Sequence, residues 1–291
     1  MKFLPTFLFS VLIFITINGC IKNTDDKLWQ QVALADSLMF IYPDSSLKII
    51  SSIKGIDRSD DATKAYYHLI STQARSRNNA LEAGDTTILK SVQYYSQSES
   101  NPYKLAWSLV YASQINNEKC GNDSLSLKYI REAAKIAEEN ELNDELLNMY
   151  IYNFWGNILY DKRPFHDAID KYLIAARYAM SINDTARIIS GLIDVGSLFL
   201  KNHEYETGRN YLERSINLIM VYPEKAWRLP RIYERISTSY HMEGDNEKAL
   251  PWITKSINSA IEQNHTSPWY LLVSKAEILT ELGRLDSVAY Y

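Results

Sequence analysis

A chain of 291 residues with 46% apolar side chains can bury one large or two ordinary cores, which excludes a disordered polymer. A formal charge of −4, with Lys and Arg scattered along the chain, excludes an electrostatic nucleic-acid surface. Twenty-one Tyr against ten Gly and eight Pro favour packed helices over a loop-rich fold.

Residues 1–19 are a separate object: Lys2, an apolar run from Phe3 to Ile17, then Asn18 and Gly19. As a helix the apolar run would reach roughly 22 Å, short of the roughly 30 Å of a bilayer's hydrocarbon core, so it reads as a signal peptide. The sequence Ile17-Asn18-Gly19-Cys20 resembles the bacterial lipobox. That resemblance implies cleavage before Cys20, lipidation of its thiol and a membrane anchor, with residues 20–27 as a short tether. Ile21 does not resemble the Asp that retains lipoproteins in the inner membrane. The expected address is therefore the bacterial cell envelope at the outer membrane, periplasmic or surface-facing. Asp25-Asp26 has the look of a surface-export signal. Cys120 is then the single other Cys, and the fold has no internal disulfide to lean on.

From residue 28 helical periodicity dominates through 291. Leu28, Val32, Ala35, Leu38 and Met39 form one stripe, Pro43 breaks it, and Asp44-Ser45 start a second helix. A helix over 62–77 pairs with one over 86–97, and one over 103–116 with one over 125–139. The fourth hairpin is the clearest. A helix ends near Leu159 or Tyr160, a turn follows, and Ala168, Tyr172 and Ala175 alternate small and large at helical spacing.

In that hairpin Gly156, Ala168, Tyr172 and Ala175 resemble the packing positions of the tetratricopeptide repeat, in which a small residue lets the two helices approach closely. Taking the small residue of each second helix as a register mark gives Ser46, Ile88, Ser126, Ala168, Gly208, Ala249 and Val288. The spacings are 42, 38, 42, 40, 41 and 39. Partners in the first helix lie twelve residues earlier at Gly156, Gly196 and Ser237. Gly244 and Gly283 fall five before their marks. The period near 40 exceeds the roughly 34-residue consensus. The junctions MSINDTAR and NLIMVYPEKAWRLPR are the expected place for the excess. The expected fold is an all-α, right-handed α-solenoid of tetratricopeptide-like hairpins, six full and a seventh incomplete. The partial last hairpin reads as truncation of a longer protein. The phrases ADSLMFIYPDSSLKII, AYYHLISTQARSRN and ILKSVQYYSQSE resemble the opening of tetratricopeptide lipoproteins of the Bacteroidetes type.

No HExxH, GxGxxG, Walker or GxSxG pattern occurs, and no Cys or His pair stands at metal spacing, so no enzyme, cofactor or metal is expected. Pairs such as Asp36-Ser37, Asp123-Ser124, Asp184-Thr185 and Asp286-Ser287 read as helix caps, or as O-glycosylation sites. In the family, first-helix residues three before, one after and four after the Gly-type position line a groove. The resemblance puts Asn153, Asn157 and Tyr160 there in the fourth repeat and Glu234, Thr238 and His241 in the sixth. Arg231 lies nearby, and Gln73 and Arg77 take those places in the second repeat. Such side chains can hydrogen-bond an extended protein or peptide partner. The basic clamp that some relatives use on a terminal carboxylate is not evident, since Asn153 stands where Lys is wanted. The expectation is a membrane-anchored, non-catalytic interaction module or scaffold. Alternatives are the sensory part of a longer membrane regulator, or a glycan-binding lipoprotein resembling the SusD group. The partner and the oligomeric state are open.

Overall fold

The computed structural model describes residues 26–82, 84–98, 101–263 and 269–284. The expected signal peptide, Cys20, Val288 and Asp286-Ser287 lie outside the described residues. Every regular element among the described residues is helical. They are α1 (26–38), α2 (Pro43–Ser52), α3 (Asp61–Arg77), α4 (Ile88–Ser98), α5 (Pro102–Glu118) and α6 (Asp123–Glu139). Then follow α7 (Glu145–Leu159), α8 (Phe165–Ser181), α9 (Thr185–Lys201), α10 (Tyr205–Val221), α11 (Leu229–Met242), α12 (Asn246–Glu262) and α13 (Trp269–Glu281). Two compact units divide this series, the first ending at Asn143 and the second starting at Asp144. The last two residues of the expected tether, 26 and 27, are helical and belong to α1.

Short polar caps set the helix starts. Asp60, Asn101, Asn122, Asp144, Asp184 and Asp245 each accept a backbone N–H three residues on, at 2.6–3.1 Å. Asp184 is thus a cap as expected. Asn122, not Asp123, caps α6, and Asp36 lies within α1, where it accepts a hydrogen bond from Tyr66.

In the first unit α1 packs on α2, α3 on α4 and α5 on α6. Serines seal these seams because they are small and can satisfy their own hydroxyl against a carbonyl of the partner helix. Ser46 Oγ donates to Ala35 O at 2.7 Å, Ser91 Oγ to Ala65 O at 2.7 Å and Ser113 Oγ to Ser126 O at 2.9 Å. In the second unit Ser237 Oγ donates to Ala249 O and Ser256 Oγ to Pro230 O. The marks Ser46, Ile88, Ser126, Ala168 and Ala249 are all fully buried.

One mark shifts. Ser91–Ala65 and Ser256–Pro230 share a separation of 26 residues, which aligns Gly84, not Ile88, with Ala249. The turns agree: Gly121, His203 and Gly244, five residues before Ser126, Gly208 and Ala249, have φ of 62°, 63° and 79°. Asn79 stands five before Gly84 and has φ 52°. These are left-handed turns, which Gly and Asn enter at least cost. Helix α4 therefore begins late, four residues after its mark where α12 begins three before its own, and Ile88 is buried as its first residue.

The length beyond the consensus is also placed differently. Helices α8, α9 and α10 each have 17 residues. They are joined by the short linkers 182–184 and 202–204, so most of a turn has been added to each helix and MSINDTAR carries no insertion. The second junction does carry one, the 3-10 turn Pro223–Arg228.

In the second unit the core follows the hairpins. Phe165, Ile169 and Tyr172 pack with Val195 and Leu198; Ile189, Leu212 and Ile219 with Ile232 and Ile236; and Ile253 and Ile257 with Leu271 and Ile278. Backbones come closest at α9–α10. There a Cβ on Gly196 would stand 2.9 Å from Gly208 O, and one on Gly208 would stand 2.8 Å from Gly196 O.

Candidate functional site

The two units differ on the faces of their first helices. In the first unit that face is filled. Tyr66 donates to Asp36 Oδ2, its ring lies 4.7 Å from that of Trp29, and the Lys104 ammonium sits 3.4 Å from the Tyr66 centroid and 4.6 Å from that of Trp29. Burial holds the Lys104 pKa down and pushes that of Tyr66 up, with Asp36 reinforcing the latter. Gln73 is 3% exposed, and the Arg77 guanidinium lies 4.7 Å over the Phe40 ring. Neither is a free wall residue. Gln73 is buried on α3, and Arg77, at the end of the same helix, is drawn onto the Phe40 ring.

In the second unit helices α7, α9 and α11 leave a cleft of about 350 Å³. It is lined by Tyr160 at the end of α7, by Ser197, Leu200 and Lys201 of α9, by Glu234, Arg235, Thr238, Ser239 and Met242 of α11, and by His203 and Tyr205. Tyr160 is fixed from two directions, by the Tyr172 ring at 6.3 Å and by the Lys201 ammonium at 4.0 Å. Lys201 also bonds Asp161 at 2.6 Å. Arg235 donates to Ser197 Oγ, which ties α11 to α9. Thr238 is exposed, and its hydroxyl donates to Glu234 Oε1 at 3.4 Å.

Of the expected residues, Tyr160, Glu234 and Thr238 meet in this cleft, and Arg231 is exposed on the same helix as the last two. Asn153 is half-buried on α7. Asn157 is a seat for packing, since Tyr172 Oη donates to its Oδ1 at 2.8 Å. His241 belongs to a network between hairpins. Its Nδ1 lies 2.7 Å from Asn246 Oδ1, and Asn246 Nδ2 donates to Glu281 at 2.6 Å.

Ser197 and Leu200 could have been found by applying the same offsets around Gly196. Lys201 and Arg235 lie at other offsets, five after Gly196 and two before Ser237. Asp194 shares the second of these, two before Gly196. It is half-buried on α9, and burial pushes its carboxyl up to about 6, against the opposing pull of Arg235, Arg228 and Arg231. Glu234 is also raised by burial, opposed by Arg235, Thr238 and Arg231. Burial lowers Arg228, with Asp194 opposing. The cleft is thus a partly dry, strongly charged surface with hydroxyl, aromatic and aliphatic elements. Among the described residues no group of three or more metal-type side chains converges there or elsewhere.

Paired antiparallel helices with a small-residue seam and a period near 40 define the class: a tetratricopeptide-like helical solenoid. No protein-family model matches the sequence, and no curated protein matches it. Solved structures do match. The apo form of RapI superposes with a TM-score of 0.70 at 9% identity, over 94% of this chain and 74% of that one. The apo quorum sensor NprR from B. thuringiensis gives 0.69 at 13% identity, over 92% and 74%. NprR in complex with its cognate peptide NprX gives 0.61 at 13%, over 91% and 76%. At these identities the likeness is one of fold.

Proposed function

We propose that the chain is a non-catalytic interaction module whose second unit binds an extended segment of a protein partner along α7, α9 and α11. The observation that carries this reading is the cleft itself, lined by three successive first helices while the corresponding face of the first unit is filled. An extended chain crossing these helices would meet the Tyr160 ring at the end of α7, then a hydroxyl, a cation and an aliphatic side chain from α9 (Ser197, Lys201, Leu200) and from α11 (Thr238, Arg235, Met242). That NprR takes up a peptide on the same class of fold supports the reading by analogy. The short linkers 182–184 and 202–204 count against the long insertions of a SusD-type glycan reader.

Thr238 is the position to test, because it is exposed, lines the cleft and makes one long hydrogen bond. Thr238→Arg should leave the unfolding free energy within about 0.5 kcal/mol of wild type and abolish capture of partner proteins from membranes. Retention of the same captured proteins by a folded Thr238→Arg chain would sink the reading.

The proposal extends to place. The lipobox-like Ile17-Gly19-Cys20 supports a lipid anchor in the cell envelope, and among the described residues no helix is long and apolar enough to cross a membrane. Two or more acyl chains, each CH₂ contributing about 0.8 kcal/mol, would hold the protein at the bilayer. Cys20→Ser should therefore move the chain from the membrane to the soluble fraction; wild-type protein recovered in the soluble fraction would refute the anchor.

A further inference from the structure

Beside the cleft, three guanidinium groups face one acid, and a fourth stands near one of the three. Arg231 and Arg235 stand four apart on the same face of α11. Arg228 precedes them at the end of the 3-10 turn, and Arg187 lies in the first turn of α9. Asp194 faces Arg235, Arg228 and Arg231, and Arg187 is close enough to Arg228 to oppose its charge. A second carboxylate, Glu234, faces Arg231 and Arg235. From α8 the Tyr172 hydroxyl also feels Asp194. Positive charge is therefore in excess even with both carboxylates ionised.

The arginines are not consumed by their neighbours. Arg187 Nη2 donates to Tyr150 Oη at 2.8 Å and Arg235 to Ser197 Oγ, both neutral partners. Arg228 stacks on Trp227 at 4.5 Å, and its Nε is buried with no hydrogen-bond partner among the described residues. A buried N–H without an acceptor is a standing demand for one. Among the described residues no ion pair joins Asp194 to any of the four.

We infer that the segment taken up by the cleft is acidic, its carboxylates meeting Arg228, Arg231 and Arg235, and that Asp194 is the built-in counter-ion with which they compete. The inference rests on the groove reading and adds the chemistry of the ligand. A bound carboxylate and an ionised Asp194 repel each other across the same cations, so each disfavours the other by the same factor. Because burial already raises the Asp194 carboxyl to about 6, affinity for an acidic segment rises as pH falls through that value and levels off below it.

The test is calorimetric titration of the full chain with an end-blocked (Ala-Glu)4 peptide and its neutral counterpart (Ala-Gln)4, at pH 7.5 and 5.2. Glutamates of ordinary pKa, about 4.3, stay mostly ionised at the lower pH while Asp194 does not. Wild type should bind (Ala-Glu)4 about fivefold or more tightly at pH 5.2 than at 7.5, and bind (Ala-Gln)4 weakly at both. Asp194→Asn should reach the tighter affinity at pH 7.5 and lose the pH dependence. Glu234→Gln should keep it. Arg231→Gln, at an exposed position, should weaken (Ala-Glu)4 at both pH values without unfolding. A pH-independent wild type, a pH dependence that survives in Asp194→Asn, or equal binding of the two peptides each overturns the inference. So does absence of (Ala-Glu)4 binding at both pH values. If Thr238→Arg still abolishes partner capture in any of these cases, the groove reading stands and only the acidic ligand falls.

Discussion

Tyr172→Ala should cost the second unit about 3–5 kcal/mol, the largest loss expected from any single truncation in the cleft's scaffold. Tyr172 is 2% exposed, and its ring fills the space left by the missing side chain of Gly156, where a Cβ would come within 2.9 Å of it. Its hydroxyl is held by Asn157 and its edge by Tyr160. Truncation removes the ring from the α7–α8 seam and opens a void that helical backbones cannot close. Tyr172→Phe separates the contributions, because it removes one hydrogen bond and keeps the ring, at a cost of about 0.5–1.5 kcal/mol. Urea unfolding followed by a probe in the second unit measures both. If Ala costs no more than Phe, the ring is not what holds the seam.

Gly208→Ala should destabilise by about 2 kcal/mol net, although Ala is ordinarily the better helix former by about 0.8–1 kcal/mol. The added Cβ would meet Leu200 Cδ2 at 2.5 Å and the Gly196 carbonyl oxygen at 2.8 Å. Leu200 can move, but the carbonyl belongs to α9 and cannot. Gly191 in the same helix is the control. A Cβ there would stand 3.4 Å from Ala176 Cβ, a tight contact but with no backbone atom closer than 3.9 Å. Gly191→Ala should be neutral or stabilise slightly, through helix propensity alone, in the same urea titration. Equal effects at the two positions would mean that α9 and α10 are not in backbone contact.

These seams were the legible part of the sequence. Small residues at a period near 40 are what two helices need in order to approach, and Gly156, Gly196, Gly208 and Ala249 took the positions that spacing assigns. Ile88 misled because, as the apolar first residue of a late-starting helix, it is fully buried, whereas Gly84 lies before that helix and is exposed. The length of the helices was hidden because MSINDTAR, polar and turn-like in composition, contains the end of one helix and the start of the next.

The cleft was legible by offset and not by occupancy. Tyr160, Glu234 and Thr238 reach it. Asn157 and His241 lie at equally favoured offsets, but hydrogen bonds to Tyr172 and Asn246 claim them. Gln73 and Arg77 were lost to the aromatic packing around Phe40, Tyr66 and Trp107, which depends on which rings three separate helices bring together. Asp194 and the arginines around it carry no motif. Their meaning comes from the fold of α9 against α11 and from partial burial, neither of which is written in local spacing.

The groove reading is tested most directly by site-specific photo-crosslinking in the native membrane, with a benzophenone side chain placed at position 238 or at position 177. Thr238 lines the cleft, whereas Arg177 is exposed on α8, a second helix. A protein partner should crosslink at 238 and not at 177, and excess unlabelled partner should compete the product away. Crosslinking at 177 with none at 238 would contradict the placement of the binding surface on α7, α9 and α11.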